Sequence, residues 1–287
     1  MADFITRFAP SPTGPLHLGH AYSALLAHDM ARAVGGKFLL RIEDIDSTRS
    51  RTSWEEQIYD DLTWLGITWD DTPVRQSDRL LEYKQALHTL WDRGLLYPCT
   101  CTRRDIAAAA SAPQEGTEPA YGPDGLIYPG TCRTKTDSRA AFPEHQALRL
   151  DIRKALDAVD QSEFCYTEQS SGIDKTLCIP AQDMVKDVGD IVLSRRDFLG
   201  SYHLSVVLDD ASQGITHVVR GKDIQPATHI HILLQSLLGL TTPTYHHHRL
   251  IRDENGKRLA KRDDARAIAT YRAEGKTPGD IRHMVGL

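Results

Sequence analysis

The sequence predicts an α/β fold: a nucleotide-binding type of sheet, interrupted by a cysteine-bearing insertion and followed by a short helical region. Three observations carry this. Roughly the first 45 residues read as strand, turn, helix and strand, the unit that closes right-handed in α/β proteins. From about Tyr97 the texture changes to a cysteine pair, an alanine run at 107–110 and a stretch rich in turn formers. Strand-like strings then resume, and the tail is amphipathic.

Taken in order, DFITRF (residues 3–8) reads as a short strand, and the turn APSPTGPLHLG leads into a helix. In that helix Tyr22, Leu25, Leu26, Met30, Ala33 and Val34 keep helical spacing until Gly35 and Gly36 stop it. KFLLRIED is a second strand, with Phe38, Leu39, Leu40 and Ile42 buried. WEEQIYDDLTWLGI and DRLLEYKQALHTLWDRG are helices that end near Gly66 and Gly94. After the insertion, ALRLDI, DIVLSR, SYHLSVVLDD and GITHVVRG read as strands and THIHILLQSLLGL as a helix. The expected division is 1–98, the first half of the α/β domain; 99–180, the inserted module; 181–240, the second half of the α/β domain; and 241–287, a basic loop with helices.

The chain has 287 residues, 40% of them hydrophobic and 25% charged, which excludes a disordered or fibrous protein. Its net charge of −5 supplies no bulk positive field for nucleic acid or an anionic membrane, so any RNA contact must be a local surface. No apolar run reaches the 18 or so residues of a membrane span, and the opening residues lack the build of a signal peptide. A cytoplasmic monomer with no membrane partner is expected. The five cysteines agree, because an odd number with one tight cluster makes a poor disulfide framework. Cys165 and Cys178, outside that cluster, are expected to be ordinary thiols.

The richest string is RFAPSPTGPLHLGH, residues 7–20. A turn leaving a strand and entering a helix aims backbone N–H groups and the positive helix end at one point, which suits phosphate. His17 and His20 add side-chain donors there, able to stabilise charge that builds on a phosphate during displacement. Four letters of H-x-G-H recur by chance. A second element makes the pair specific: Lys257, Arg258, Leu259, Ala260, Lys261 and Arg262 follow Gly256 as a cationic loop able to close over a triphosphate. Elsewhere, Cys99-x-Cys101 followed by Tyr128-x₃-Cys132 offers three thiolates and a phenolate, a set for a closed, structural zinc site. Tyr121 is the rival fourth ligand. His229, His231 and the run His246 to His248 lack the spacing of a metal site; the first two sit in an amphipathic helix, and the run precedes the basic loop.

With these strings the chain resembles the class I aminoacyl-tRNA synthetases and, through LRIEDID and VVLDD…GITHVVRG, the glutamyl-tRNA synthetases among them. Arg258 and Ala260 depart from the family's usual lysine and serine, and Val206 and Leu208 depart in the strand before the Asp pair, while Lys261 is retained. The resemblance implies a Rossmann-type catalytic domain. It implies that His17, His20 and Lys261 are catalytic and that Pro12, Gly14, Gly19, Arg258 and Leu259 join them in binding ATP with Mg²⁺. It further implies that Arg7, Ala9, Ser11, Glu43, Tyr202 and Arg220 bind L-glutamate, and that Cys99, Cys101, Tyr128 and Cys132 hold one structural Zn²⁺.

Only 25 residues follow Arg262, and the expectation is that no anticodon-binding domain is present. That matches the truncated paralogues of the family, which activate glutamate and transfer it to queuosine at the wobble position of tRNA(Asp). The alternatives are a minimal enzyme charging the 3′ end of tRNA(Glu) and a small-molecule adenylyltransferase. Arg103, Arg104, Arg195, Arg196, Arg266, Arg272 and Arg282 are the candidates for RNA contact.

Overall fold

The structure is a computed structural model that describes residues 3–110, 120–135, 141–170, 172–252 and 266–287. The basic loop, with Arg258, Leu259 and Lys261, lies outside the described residues.

The chain opens with β1 (Ile5–Phe8), α1 (Leu18–Ala33), β2 (Lys37–Ile42), α2 (Thr52–Trp64), β3 (Val74–Arg75) and α3 (Leu80–Asp92). Next come β4 (Leu96–Cys99), α4 (Arg103–Ala110), β5 (Tyr121–Gly122), β6 (Gly125–Leu126), β7 (Ala147–Leu150) and α5 (Ile152–Val159). A hairpin of β8 (Glu163–Ser170) and β9 (Ile173–Pro180) leads to α6 (Ala181–Asp187), β10 (Val192–Ser194) and α7 (Tyr202–Ser212). The rest is β11 (His217–Gly221), α8 (Thr228–Leu238), β12 (Thr244–His248), α9 (Ile268–Ala273) and α10 (Pro278–Val285).

β1, β2 and β3 pair in parallel, as do β11, β12 and β8, with β9 as an antiparallel edge. β1 sits beside β11: the Thr216 N–H donates to the Ile5 carbonyl at 2.9 Å. The order β3-β2-β1-β11-β12-β8-β9 reverses direction of growth between β1 and β11, the crevice where parallel α/β sheets bind ligands. β2 shows why both faces are covered. Phe38, Leu40 and Ile42 join the core with α1 and α2, while Leu39 points into the other core, with α3, α5, α7 and α8. A second, antiparallel sheet, β10-β7-β4, leads into the inserted segment.

Two expectations are corrected. SYHLSVVLDD is helix α7, not a strand. Ser201 caps it, its hydroxyl accepting from the Leu204 N–H at 3.3 Å, and residues 203–207, 209 and 210 are all buried. A helix buried on every side shows no 3.6-residue pattern, so its valines mimic a strand. Cys165 and Cys178 are not separate thiols either: they stand opposite one another on β8 and β9 and are joined as a disulfide. The hairpin register creates the pair, which their spacing along the chain does not advertise.

Candidate active site

His17 is the N-cap of α1, and the two histidines organise one another. The Gly19 N–H donates to Nδ1 of His17 at 3.1 Å, and the His17 N–H donates to Nδ1 of His20 at 3.2 Å. Each Nδ1 is therefore an acceptor, which puts the proton of each neutral ring on Nε2. The rings stack with centroids 3.8 Å apart. A Cβ at Gly19 would stand 3.0 Å from the His17 ring, so glycine is the residue that leaves the stack undisturbed. The result is a helix N-terminus carrying two side-chain N–H donors, a site for phosphate oxygens.

Opposite this end lies a buried ionic network. Arg7 donates through Nε and one terminal nitrogen to Asp210 at 2.8 and 3.2 Å. Arg41, fully buried, donates to the same carboxylate at 2.7 Å and to Glu43 at 3.2 Å. Asp209 takes Gln76, Arg79 and Tyr83. Burial works against the Asp210 carboxylate, but Arg7 and Arg41 outweigh it and hold its pKa below the ordinary value. For Glu43 burial wins, and its pKa is raised despite Arg41 and Arg7. An arriving ammonium group would draw Glu43 back towards its charged form.

Arg220, at the end of β11, is held differently. Its Nε donates to Nε2 of His247 at 3.1 Å, and its terminal nitrogens donate to Nδ1 of His231 at 3.1 Å and Oγ1 of Thr228 at 2.7 Å. Burial, then the Arg220 charge, pushes His231 well below the usual imidazole value and His247 down to about 3, so both stay neutral.

Arg7, Ala9, Ser11, His17, Gly19, His20, Glu43, Tyr202 and Arg220 all line one cavity of about 410 Å³. Pro12 and Gly14 do not line it; they are buried in the turn, while Pro10 and Thr13 face inward. Leu250 and Ile251 close one wall, and on the far side of the basic loop the Ile268 N–H donates to the Leu16 carbonyl at 2.9 Å. Both flanks of that loop thus sit beside the histidine turn. Sequence reasoning missed Arg41 and Asp210 and gave His231 and His247 no part in holding Arg220. Asp210 carried a signal, as one of two adjacent carboxylates that close the apolar run Val206 to Leu208.

A larger cavity, about 1330 Å³, adjoins the first and shares Tyr202, Asp223 and Ile224 with it. Arg103, Arg149, Arg195 and Arg196 stand in its wall, whereas Arg104 does not. Of the other RNA candidates, Arg266 pairs with Glu274, Arg272 with Asp60, and Arg282 with Asp29.

Beside the larger cavity the sulfurs of Cys99, Cys101 and Cys132 lie within 4.8 Å of one another. The Tyr128 hydroxyl is 3.5 Å from Cys99 Sγ and 3.4 Å from Cys101 Sγ, and Cys101 and Cys132 are 3.5 Å apart. Zinc with bonds of about 2.3 Å to sulfur and about 2.0 Å to oxygen spaces tetrahedral ligands by about 3.5 to 3.8 Å, so the donor set fits such an ion. Tyr121 is exposed on β5. Burial opposes the Cys132 thiolate, but hydrogen bonds from Tyr128, Thr100 and Cys101 bring it down to about 6. Burial and the sulfurs push the Tyr128 phenol up, a sign that a bound dication reverses. Arg149 supplies compensating charge, its Nε 3.4 Å from Cys99 Sγ and its guanidinium 4.0 Å above the Tyr128 ring.

A parallel sheet split by an insertion, with H-x-G-H capping its first helix at the switch point, is the fold of a class I aminoacyl-tRNA synthetase. Residues 3–287 match the family described as class I tRNA synthetases (E and Q), catalytic domain. The chain is 60% identical, over 99% of its own length and 100% of the relative's, to a glutamyl-Q tRNA(Asp) synthetase of Rhodobacter capsulatus. It is 42% identical to one of Deinococcus radiodurans, covering 96% of this chain and 85% of that one. Among solved structures, the glutamate tRNA ligase of Elizabethkingia meningosepticum in complex with its amino acid superimposes with a TM-score of 0.76 at 27% identity. There the match covers 99% of this chain and 60% of the other, so this chain spans well under two thirds of that enzyme. Methionyl-tRNA synthetase of Mycobacterium tuberculosis, at 13% identity and a TM-score of 0.60 over 99% of this chain and 64% of that one, shares the fold. The chain belongs to the class I tRNA synthetases of the glutamate and glutamine type, on the glutamyl-Q tRNA(Asp) synthetase branch.

Proposed function

We propose that the chain is a ligase that activates L-glutamate with ATP and transfers the glutamyl group to queuosine at the wobble position of tRNA(Asp). The observation that carries this reading is the full-length identity of 60% with a relative bearing that activity in its name. In the first step a carboxylate oxygen of glutamate attacks the α-phosphorus of ATP; a P–O bond forms and the bond to pyrophosphate breaks. His17 and His20 donate to the phosphates through Nε2–H, and Lys261 neutralises the departing pyrophosphate. Magnesium bound to ATP supplies further charge neutralisation. Arg220 and Arg7 hold carboxylate and Glu43 the ammonium, which leaves one oxygen to react.

In the second step a hydroxyl of the queuosine cyclopentenediol attacks the activated carbonyl. The C–O bond to phosphate breaks, AMP leaves, and the hydroxyl proton passes to solvent. The larger cavity, with Arg103, Arg195 and Arg196 in its wall, is the side from which the RNA loop arrives. Cys99, Cys101, Tyr128 and Cys132 hold one structural zinc that stiffens this wall. No helix among the described residues is long and apolar enough to cross a membrane; ATP and tRNA as substrates support a cytoplasmic enzyme, which we take to act as a monomer.

The test is incubation with glutamate, ATP and tRNA pools with and without queuosine, followed by nucleoside analysis. Glutamylated queuosine is expected, undiminished in tRNA from which the 3′-terminal adenosine has been removed. Charging that requires an intact 3′ diol would instead assign the chain to tRNA(Glu). Cys101→Ser should lose one equivalent of zinc by metal analysis and loosen the 99–132 module; undiminished zinc would overturn the ligand set.

A further inference from the structure

Arginine donates hydrogen bonds and accepts none, and it does not lose its proton in a protein. That fixes every proton around Arg220. Nδ1 of His231 accepts from Arg220, so its ring proton is on Nε2, which meets Nδ1 of His203 at 3.2 Å. His203 accepts there, so its own proton is on Nε2, 3.3 Å from an oxygen of Asp124. On the other side Nε2 of His247 accepts from Arg220, so Nδ1–H donates to Glu168 at 2.6 Å. Two one-way chains of hydrogen bonds run from one cation to two carboxylates. Glu168 belongs to the main sheet, on β8, next to β12. Asp124 does not: it is in the turn between β5 and β6, four residues before Tyr128 of the cysteine cluster.

The contact is built rather than incidental. His203 and His231 are 5% and 2% exposed, on α7 and α8. The hairpin carrying Asp124 is seated by its backbone: a Cβ on Gly122 would stand 2.4 Å from the Asp187 carbonyl at the end of α6. Asp124, itself exposed, meets His203 from that seated turn at 3.3 Å, and its charge favours the Nε2–H form of that ring. The form chosen at His203 then selects the one at His231, leaving Nδ1 of His231 to accept from Arg220.

We propose that Asp124, His203 and His231 are positioning residues through which the inserted module orients Arg220 in the amino-acid pocket. The proposal rests on the reading that Arg220 binds the substrate carboxylate. A module that is out of place frees His203 to adopt its other tautomer. Arg220 then loses an acceptor, and its guanidinium turns from the cavity. The reaction's chemical groups are untouched, so the expected loss is in amino-acid binding.

Two measurements test this. Long-range ¹H–¹⁵N spectra of enzyme labelled in histidine, assigned with single His→Gln variants, should show His203 and His231 as Nε2–H tautomers and His247 as Nδ1–H. In glutamate-dependent pyrophosphate exchange, Asp124→Ala and His231→Leu should raise the KM for glutamate about tenfold, the effect of one lost hydrogen bond to a buried group. The KM for ATP and the zinc content should stay as in the wild type. Asp124→Asn keeps an acceptor oxygen, and His231→Gln keeps both an acceptor and a donor, so each should restore glutamate binding. Nδ1–H tautomers at His203 or His231, an unchanged KM in Asp124→Ala, or a rise that occurs only with zinc loss would overturn the relay. A wild-type enzyme that activates no glutamate would instead remove the functional reading, and the tautomers would still decide the relay.

Discussion

Arg7 and Arg220 are equally buried, each 6% exposed, at facing edges of one cavity, yet they are held by opposite chemistry. Arg7 is bound to a carboxylate that Arg41 shares, so much of its charge is already compensated. Arg220 meets two neutral imidazoles and a hydroxyl, and among the described residues no carboxylate touches it. A buried cation held by neutral acceptors keeps its attraction for an incoming anion, whereas one paired with Asp210 serves first to hold β1, β2 and α7 together. The difference separates two arginines of one cavity, one with its charge left open to an anion and one that also braces the fold.

The largest expected effect breaks that division if it is false. Arg220→Ala should lower kcat/KM for glutamate activation about a thousandfold, within the range for removing one partner of a buried, hydrogen-bonded charge pair, with a small change in thermal stability. Loss of folding with no loss of affinity in the survivors would reverse the assignment. Asp210→Asn should do the converse, destabilising the fold by about 3–5 kcal/mol in urea titration because Arg7 and Arg41 are left facing an amide. Since the Asp210 pKa is lowered by folding, its contribution is present above the ordinary carboxylate range and disappears as pH falls through the lowered value. The variant should lack that acid sensitivity.

Asp61 sharpens the contrast as a buried carboxylate with no arginine on it. It is fully buried in α2, neither oxygen has a hydrogen-bond partner among the described residues, and burial raises its pKa to about 6. The folded state then binds a proton that the unfolded chain releases near pH 4, so stability from this group declines as pH rises from 4 to 6. Asp61→Asn should stabilise the protein at pH 8 by up to about 3 kcal/mol and flatten the dependence of Tm on pH over that interval; an unaltered slope would show that Asp61 is ionised without cost. The smallest effect belongs to an exposed pair. Arg272, on Asp60 at 2.7 Å and open to solvent, should change stability by less than about 1 kcal/mol as Arg272→Gln, measured by the same titration.

What could be read from the chain was local. The turn 9–17, the cap at His17 and the helix behind it follow from neighbours along the sequence, and so does the C-x-C…Y-x₃-C set, whose ligands lie within 34 residues. α7 could not be read so easily, because burial on all sides erases the periodicity that separates helix from strand. The Cys165–Cys178 pair needed the register of a hairpin.

By itself the sequence marked the histidine turn and the Cys-x-Cys…Tyr-x₃-Cys set, each made of residue types at short spacing, whereas Arg7, Glu43, Tyr202 and Arg220 were grouped only through the family resemblance. Only the tertiary structure decided how Arg220 is held. Its direct partners come from α8 and β12, with β8 and α7 behind them, joined by contacts spanning up to 79 residues. A buried polar group takes whichever acceptor the packed fold brings within reach, and no pattern along the chain records that choice.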